Sequence, residues 1–167
     1  MTWDQREYSR RRRAESKAKG LCVKCHQRPA LIKRTQCHRC QMGSLIREAM
    51  KYDRAKAASG STKARGTCYV AQFSQEIRKD WVEQVIGRWN GLCSYTGLAI
   101  EIGSTASLDH VLPISRAAVF GPSKVYHPDN LVWCHKSINI LKGDMTAEEF
   151  KLWLTNELVP SVAGLTA

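Results

Sequence analysis

The 167-residue chain carries 26 lysines and arginines against 15 acidic residues, which gives a net charge of +11, and 43% of its residues are hydrophobic. This length holds one ordinary domain, or a small core with an appended module, and no apolar run is long enough to span a membrane. The first residues include Trp3, Asp4 and Arg6 and lack the apolar stretch of a secretory signal, so we expect a cytoplasmic protein. In a reducing compartment, seven cysteines favour metal ligation or buried thiols over disulfides.

The positive charge is concentrated in the first part of the chain. Residues 1–66 contain 18 basic and 5 acidic side chains, a net charge of +13, whereas residues 67–167 contain 8 and 10, a net charge of −2. A basic first half joined to a nearly neutral second half is typical of a nucleic-acid-binding part joined to a part with another task. A solvated basic tail without a specific partner is the alternative, although so large a charge is difficult to explain by solubility alone.

Residues 1–20 predict a basic arm, either a helix or a disordered segment. Arg10, Arg11, Arg12 and Arg13 would place guanidinium groups on all sides of a helix, so the segment has no apolar face. Such an arm can lie along the phosphates of DNA, and its affinity would fall steeply with salt concentration. We therefore expect it to contribute affinity and not base recognition.

Residues 21–52 predict a zinc-ribbon-like DNA-binding module. Two Cys-x-x-Cys pairs lie eleven residues apart and can supply the four ligands of a tetrahedral zinc site: Cys22, Cys25, Cys37 and Cys40. Four protein ligands leave no open position, so we expect a structural zinc ion whose binding supplies the folding free energy that so short a segment lacks. A redox dithiol is the alternative, although a single pair would be enough for that role.

Other polar residues of this module lie beside the cysteines. His26 and His38 each follow a cysteine and could replace a thiolate, but with four cysteines available we expect both to be bystanders. Residues 41–52 have the apolar spacing of a helix that can pack on the module. The basic residues interleaved with the cysteine pairs are predicted to bind DNA phosphates: Lys24, Lys33, Arg34 and Arg39.

The second half of the chain begins after a basic linker. Residues 53–68 are small and basic and have no apolar period, which predicts a linker to a domain over residues 69–160, followed by a tail over residues 161–167. Within the domain, residues 73–90 give the clearest helix signal, with Ser74 as its cap. The apolar stripe of this helix is typical of core packing: Ile77, Trp81, Val82, Val85, Ile86 and Trp89.

Groups suited to phosphodiester hydrolysis follow between residues 108 and 144. Asp109 and His110 lie on a short predicted strand, Asn130 precedes a second apolar strand, and Asn139 lies on the helix after it. A histidine can take the proton of an attacking water, and oxygen ligands can hold the hard divalent ion that neutralises charge on a phosphate. A carboxylate, an imidazole and two carboxamides are therefore the parts of a one-metal phosphodiesterase.

In order and spacing, these four residues resemble the HNH motif of nucleases, also called the His-Me or ββα-metal finger. The resemblance covers about residues 91–145, and Pro113 and Lys142 match its flanks. It implies a ββα-metal finger flanked by helices, and with the four-cysteine zinc module and the basic arm that precede it the predicted fold class is α+β. It also implies a hydrolase that cuts double-stranded DNA, similar to the free-standing or intron-borne endonucleases of bacteria and phages, which include homing enzymes.

The resemblance implies a role for each polar residue of the motif. Asp109 and Asn139 would bind the catalytic ion, His110 would act as the general base, and Asn130 would orient His110. Because the last ligand is an Asn oxygen and not a His nitrogen, we expect Mg²⁺ or Mn²⁺ at this position instead of zinc. Lys142 is predicted to contact a DNA phosphate.

The chain departs from the zinc-bearing branch of this family. In that branch two Cys-x-x-Cys pairs flank the finger, whereas here Thr96 and Ser137 replace the second cysteine of each pair. Two thiolates and two hydroxyls make a poor zinc site, so we expect Cys93 and Cys134 to be buried thiols in a turn that needs no metal. Cys68 is expected to be a buried thiol as well.

A final helix is predicted from Thr146, which with Glu149 forms a capping box, and Pro160 would end it. Its apolar face is expected to pack on the finger. The alternatives to an active endonuclease with a homing role are an inactive zinc-ribbon DNA-binding protein, a restriction endonuclease and an RNA-binding factor. A monomer and a homodimer both stay open, since a single finger cuts one strand.

Overall fold

Short helices and one two-stranded sheet form the part of the chain that the computed structural model describes, residues 5–50 and 78–158. The elements are, in order, α1 (Gln5–Ala18), α2 (His38–Met50), α3 (Lys79–Gly87), β1 (Ala106–His110), α4 (Ala117–Phe120), α5 (Pro122–Val125), β2 (Leu131–His135), α6 (Lys136–Lys142) and α7 (Ala147–Trp153). Two 3-10 turns cover Ile114–Arg116 and Pro128–Asn130, and a π turn covers Leu154–Leu158. The α+β class predicted from the sequence is confirmed. Within these ranges no helix combines the length and the apolar character that a membrane crossing requires.

Several predictions concern residues outside the described ranges. These are the linker over residues 53–68, the tail over residues 161–167, Cys68, Ser74, Ile77 and Pro160.

The basic arm is a helix docked on the first cysteine pair. The Leu21 N–H donates to Ser16 O at 2.7 Å, and the Gly20 N–H donates to Lys17 O at 3.1 Å. Gly20 has φ +66°, the left-handed conformation that glycine adopts without strain at the end of a helix. The buried Ser16 hydroxyl shares a 2.6 Å hydrogen bond with His26 Nδ1. Of the two predicted states of the arm, the helix is therefore the one observed.

One hydrophobic core contains α2, α3 and the sheet. α2 presents Met42, Ile46 and Met50 at successive i+4 positions, and these side chains are 5%, 0% and 0% exposed. Fully burying a side chain of this size stabilises the fold by roughly 1.5–3 kcal/mol. The α2 residues pack with buried residues of α3 and the strands: Val82, Val85, Leu108, Leu131 and Trp133. Packing by α2 thus joins the cysteine-bearing segment to the second half of the chain.

β1 and β2 form an antiparallel pair whose register runs from Ala106 opposite His135 to His110 opposite Leu131. Side chains alternate across a strand, so His110 faces α2 while Asp109 faces α6. α6 begins directly after β2 without an intervening loop. The two strands and the helix predicted around the polar motif are thus present in that order.

α3 is shorter than the helix predicted over residues 73–90. It spans Lys79–Gly87, and the extended residue Arg78 is its N-cap, so the helix begins after the predicted cap at Ser74. At the other end the Trp89 N–H donates to Ile86 O, a tighter i+3 bond that ends the α-helical pattern before residue 90. The described members of the predicted stripe lie in the core or against it: Trp81, Val82, Val85, Ile86 and Trp89.

α7 begins with the predicted capping box. The Glu149 N–H donates to the Thr146 hydroxyl at 3.2 Å, and the Thr146 N–H donates to the Glu149 carboxylate at 2.8 Å. Phe150 is fully buried, and its ring meets that of Tyr95 edge to face at 5.6 Å. Because Tyr95 lies in the turn before β1, α7 packs where the sequence predicted it.

Candidate functional site

The four cysteines of the two Cys-x-x-Cys pairs converge. The sulphur atoms of Cys22, Cys25, Cys37 and Cys40 all lie within 4.8 Å of one another, and those of Cys25 and Cys37 are 3.9 Å apart. A tetrahedral site with zinc–sulphur bonds of about 2.3 Å has sulphur–sulphur edges of about 3.8 Å, so this cluster can hold a zinc ion. Among the described residues, no histidine or carboxylate joins the four sulphurs.

The two histidines beside the cysteines are engaged elsewhere. His26 Nδ1 bonds to the Ser16 hydroxyl, and the His38 ring packs edge to face on Trp89 at 5.5 Å. Neither side chain belongs to the metal-binding group. Their roles thus agree with the expectation that both are bystanders.

The four thiols of the cluster ionise unequally when no cation lies among them. Burial alone would raise the pKa of Cys22, but backbone N–H groups, including that of Lys24 at 3.4 Å, bond to its sulphur and lower the pKa to about 6. Burial and the neighbouring thiols raise the pKa of Cys40 to about 12. Four thiolates at this separation need a positive charge among them, and a divalent metal ion would supply it.

A second turn repeats the backbone of the first without its metal ligands. The Cys93 N–H donates to Leu98 O and the Gly97 N–H to Cys93 O, both at 2.8 Å. The first turn has the same i+4 bond, from the His26 N–H to Cys22 O at 2.8 Å. Thus the same kind of knuckle forms in both places, and in the second one Thr96 follows where a cysteine would complete the pair.

The thiols of Cys93, in the second turn, and of Cys134, on β2, are buried, as predicted. Cys93 and Cys134 are 2% and 0% exposed. Burial and the nearby Asp109 raise the pKa of Cys134 to about 12, so this thiol stays neutral. Burial alone would raise the pKa of Cys93. Hydrogen bonds from Thr96 and from backbone N–H groups to its sulphur outweigh the effect of burial, so the pKa is lowered.

Asp109 is the buried anion of the site. Its side chain is 5% exposed, and the Tyr95 hydroxyl donates to Oδ2 at 2.5 Å. The Lys142 ammonium lies 3.1 Å from Oδ2 and 3.3 Å from Oδ1, and it donates to His110 O at 3.0 Å. Burial and Asp109 raise the pKa of Tyr95, so its hydroxyl keeps the proton that it donates. Two donors from the second turn and from α6 therefore fix this carboxylate.

Lys142 lies inside the fold. The residue is 1% exposed, and its ammonium is bonded to Asp109. A contact between Lys142 and a DNA phosphate, which the sequence predicted, would require this pair to open.

His110 is held in one protonation form. Its ring is mostly buried, at 8% exposure, and Nε2 lies 3.0 Å from the carbonyl oxygen of Ala49 in α2. A carbonyl oxygen only accepts, so Nε2 carries the proton and Nδ1 carries the lone pair. Burial lowers the pKa of His110 to about 4, against the opposing effect of Asp109, so the ring is neutral at pH 7. An unprotonated Nδ1 is the group that a general base needs.

The two asparagines of the motif bond to the backbone around β1. Asn139 Nδ2 donates to Leu108 O at 2.9 Å and to the Ser107 hydroxyl at 3.1 Å, which leaves Oδ1 to meet a ligand. Asn130 Oδ1 accepts from the Leu112 N–H at 2.8 Å, while its Nδ2 donates to Leu112 O at 3.0 Å. Asn130 thus holds the chain that follows His110 and, among the described residues, makes no bond to the imidazole.

Asp109 and Asn139 are the oxygen-bearing side chains of the motif that lie between β1 and α6. The Asp109 carboxylate faces α6, and the orientation of Asn139 is set by its amide bonds so that a carboxamide oxygen stays available. Carboxylate and carboxamide oxygens are ligands that Mg²⁺ and Mn²⁺ prefer. The Lys142 ammonium already neutralises Asp109, so a divalent ion bound there would share this carboxylate with it.

Comparison with known proteins yields no relative. No family model, no curated protein and no solved structure matches the chain. The chemistry of the site is therefore the basis for assigning a function.

Only some of the basic residues predicted to bind DNA are available for it. Arg34 donates to Gly103 O, and Arg39 pairs with Glu83, so both link the cysteine module to the second half of the chain. Arg11 pairs with Glu7 on the surface of α1. Within the described ranges four of the predicted residues form no ion pair: Arg10, Arg12, Arg13 and Lys33.

A basic groove of about 480 Å³ is lined by residues of both α1 and the first knuckle. Arg12 and Arg13 line one wall, and Lys24, whose ammonium donates to the Ser44 hydroxyl at 2.9 Å, lies on the other. The groove also contains polar and aromatic groups: Tyr8, Ser9, His26 and Gln36. Its positive charge suits the phosphates of a nucleic acid.

Sequence reasoning missed Tyr95 and Ala49. Tyr95 could have been noticed, because it lies in the turn whose cysteine is replaced by Thr96. Ala49 contributes only its backbone carbonyl, and no residue type marks a carbonyl that lies across the core from a histidine.

Proposed function

We propose that the protein is a metal-dependent DNA endonuclease that hydrolyses phosphodiester bonds by a one-metal, HNH-type mechanism. The observation that carries the proposal is the state of His110, a neutral imidazole whose Nε2 donates to a carbonyl and whose Nδ1 can therefore accept a proton. General-base catalysis requires an unprotonated nitrogen that can accept the proton of the water. The adjacent Asp109 carboxylate and the available oxygen of Asn139 supply the ligand chemistry of a hard ion.

The residues of the chain have separate tasks in this mechanism. His110 Nδ1 accepts the proton of the attacking water. Asp109 and Asn139 Oδ1 would hold Mg²⁺ or Mn²⁺, which when bound neutralises charge on the phosphate and stabilises the departing oxygen. Tyr95 and Lys142 hold the Asp109 carboxylate in place through bonds to its oxygens.

Double-stranded DNA is the proposed substrate because of the charge of the N-terminal part. The groove between α1 and the first knuckle is lined by Arg12, Arg13 and Lys24, and the cysteine cluster beside it can hold a structural zinc ion. These groups would bind phosphates and hold the DNA while the second half of the chain cuts it. A homing or phage role stays a prediction from the resemblance to HNH endonucleases.

An inactive DNA-binding protein is the second candidate. One observation favours it: Lys142 already neutralises Asp109 at 3.1 Å, as it would in a purely structural ion pair. In that case the polar motif would stabilise the fold, and only the basic surface would act on DNA.

Cleavage of supercoiled plasmid separates the two candidates. The zinc-loaded protein is incubated with plasmid and Mg²⁺ or Mn²⁺, with and without a chelator, beside His110→Ala. His127→Ala is the matched control, because the His127 side chain is 41% exposed and lies outside the motif. We expect nicking by the wild type and by His127→Ala, and none with His110→Ala or with chelator.

The opposite results are equally informative. Plasmid that stays intact with every divalent ion, while the protein still binds DNA, would establish the inactive DNA-binding candidate. Nicking that survives His110→Ala would remove His110 as the base.

A further inference from the structure

We propose that the cysteine module is part of the active site: α2, anchored at the cysteine cluster, delivers the Ala49 carbonyl that orients the imidazole of His110. The catalytic consequence of this inference rests on the proposed endonuclease function. Its structural part is independent of that function: it states that metal binding elsewhere in the chain determines which nitrogen of His110 carries the proton.

The first turn of α2 is fixed by the cluster. Cys37 directly precedes the helix and Cys40 lies in its first turn, so two of the four sulphurs belong to this end. The Gln41 N–H donates to Cys37 O at 2.9 Å, which continues the helical bonding into the cluster. A metal ion bound by the sulphurs would thus set the start and the direction of α2.

The last turn of α2 reaches the candidate base. From His38 to Met50 the helix rises roughly 18 Å, and Ala49 lies next to its end. The Ala49 carbonyl oxygen accepts from His110 Nε2 at 3.0 Å. A carbonyl has two lone pairs and can accept this bond in addition to any bond within the helix.

Packing transmits the position of α2 to the sheet. Ile46 and Met50 are fully buried in the core that also contains Leu108 of β1. On the surface, Arg39 of α2 pairs with Glu83 of α3. α2 is therefore held both at its cluster end and along its length, so its last carbonyl has a defined place beside β1.

Among the described residues, Ala49 is the hydrogen-bond partner of the His110 ring. The Asn130 side chain, which the resemblance would place in this role, is bonded to the backbone of Leu112 and Val125. The carbonyl of a neighbouring module therefore takes the orienting role. Ala49 is a positioning residue: it selects the ring nitrogen that carries the proton and leaves Nδ1 as the acceptor.

Nitrogen-15 NMR of the histidine side chains in the full-length protein tests the proposal directly. The two tautomers of a neutral imidazole have different nitrogen shifts, and the His110 signals are assigned by their loss in His110→Gln. In the zinc-loaded protein without Mg²⁺ we expect a single form with the proton on Nε2. After zinc removal, or in Cys37→Ser, we expect a mixture of the two tautomers at His110.

A second variant tests the carbonyl without touching a cysteine. Ala49→Pro removes a helix N–H and displaces the last turn of α2. We expect Ala49→Pro to keep its zinc and to keep its DNA affinity within about twofold. The cleavage rate should fall on the order of 100-fold, because a catalytic group displaced by about 1 Å typically loses that much activity. Arg13→Ala is the control and should weaken DNA binding without changing the His110 tautomer.

The outcomes separate the inference from the proposed function. If His110 keeps its Nε2 proton after zinc loss, while thiol titration shows four reactive cysteines in the cluster, the coupling is refuted. The same holds if a folded Ala49→Pro keeps the tautomer and the cleavage rate. If the tautomer depends on zinc but the wild type cuts no DNA with any divalent ion, the endonuclease function fails and the coupling stands. Should Ala49→Pro fail to fold, the zinc-removal experiment decides alone.

Discussion

Replacing Lys142 by Met should destabilise the protein severely, and a divalent ion should restore part of the lost stability. The residue is 1% exposed, and its ammonium lies 3.1 Å from the Asp109 carboxylate and donates to His110 O. Methionine retains most of the stem, so the packing is largely kept while the charge is lost. The substitution therefore isolates the electrostatic part of the contact.

The magnitude follows from the geometry of the pair. Two unit charges at the observed 3.1 Å attract by about 5 kcal/mol at an effective dielectric constant near 20. Removing one partner of a buried pair typically costs about 3–5 kcal/mol, because the other charge stays buried without compensation. The remaining Tyr95 bond to Asp109 lessens the loss. We expect the free energy of unfolding to fall by about 3–4 kcal/mol.

Urea unfolding of the zinc-loaded protein measures this change, with Lys151→Met as the matched control. Lys151 is exposed on α7, so its replacement should alter the free energy of unfolding by no more than about 0.5 kcal/mol. Mg²⁺ or Mn²⁺ should restore part of the lost stability in Lys142→Met, because a divalent ion can then neutralise Asp109. A loss equal to that of the control would refute the buried pair. A large loss without any recovery on adding either ion would refute Asp109 as a metal ligand.

Three further changes have defined outcomes. Cys37→Ser should abolish stoichiometric zinc binding, lower the melting temperature of the whole protein and weaken DNA binding; unchanged zinc content and affinity would show that the four-cysteine site is wrong. Arg12→Ala should reduce the slope of log affinity against log salt by about 1, whereas Arg39→Ala, which loses a contact to Glu83, should leave the slope unchanged; equal slopes for both variants would remove the basic groove as a DNA contact. Because the pKa of His110 is lowered to about 4 from an unfolded value near 6.5, its contribution to stability is complete above pH 6.5 and declines as the pH falls towards 4, by roughly 3 kcal/mol in all. His110→Gln should lack this decline in acid unfolding curves, and an identical decline in the variant would contradict burial of the ring.

Local signals in the sequence predicted much of the fold. The spacing of the cysteine pairs predicted the cluster. Each Cys-x-x-Cys pair closes one short turn, and two such turns can place four sulphurs around one ion. The capping box at Thr146 predicted the start of α7, since both of its bonds lie within four residues. The order of two strands and a helix around Asp109 and Asn139 followed from apolar periodicity.

The contacts that assemble the site depend on distant parts of the chain. Arg34 and Arg39 have the same character in the sequence as Arg12, yet packing turns both towards the second half of the chain. The sequence predicts a phosphate contact for Lys142, and only the convergence of α6 and β1 places it inside. No sequence signal marked the Ala49 carbonyl, because every residue has a carbonyl group. Its partner, His110, lies 61 positions further along the chain.

The decisive measurement is the single-turnover cleavage rate of a labelled DNA duplex by the zinc-loaded protein in Mg²⁺ or Mn²⁺, compared with that of His110→Ala. General-base catalysis typically contributes about 10²–10⁴-fold, so we expect the variant to be slower by that factor while its zinc content and DNA affinity stay those of the wild type. Equal rates for the two proteins, or a wild type that binds the duplex and leaves it uncut with either ion, would contradict an endonuclease that uses His110 as its base.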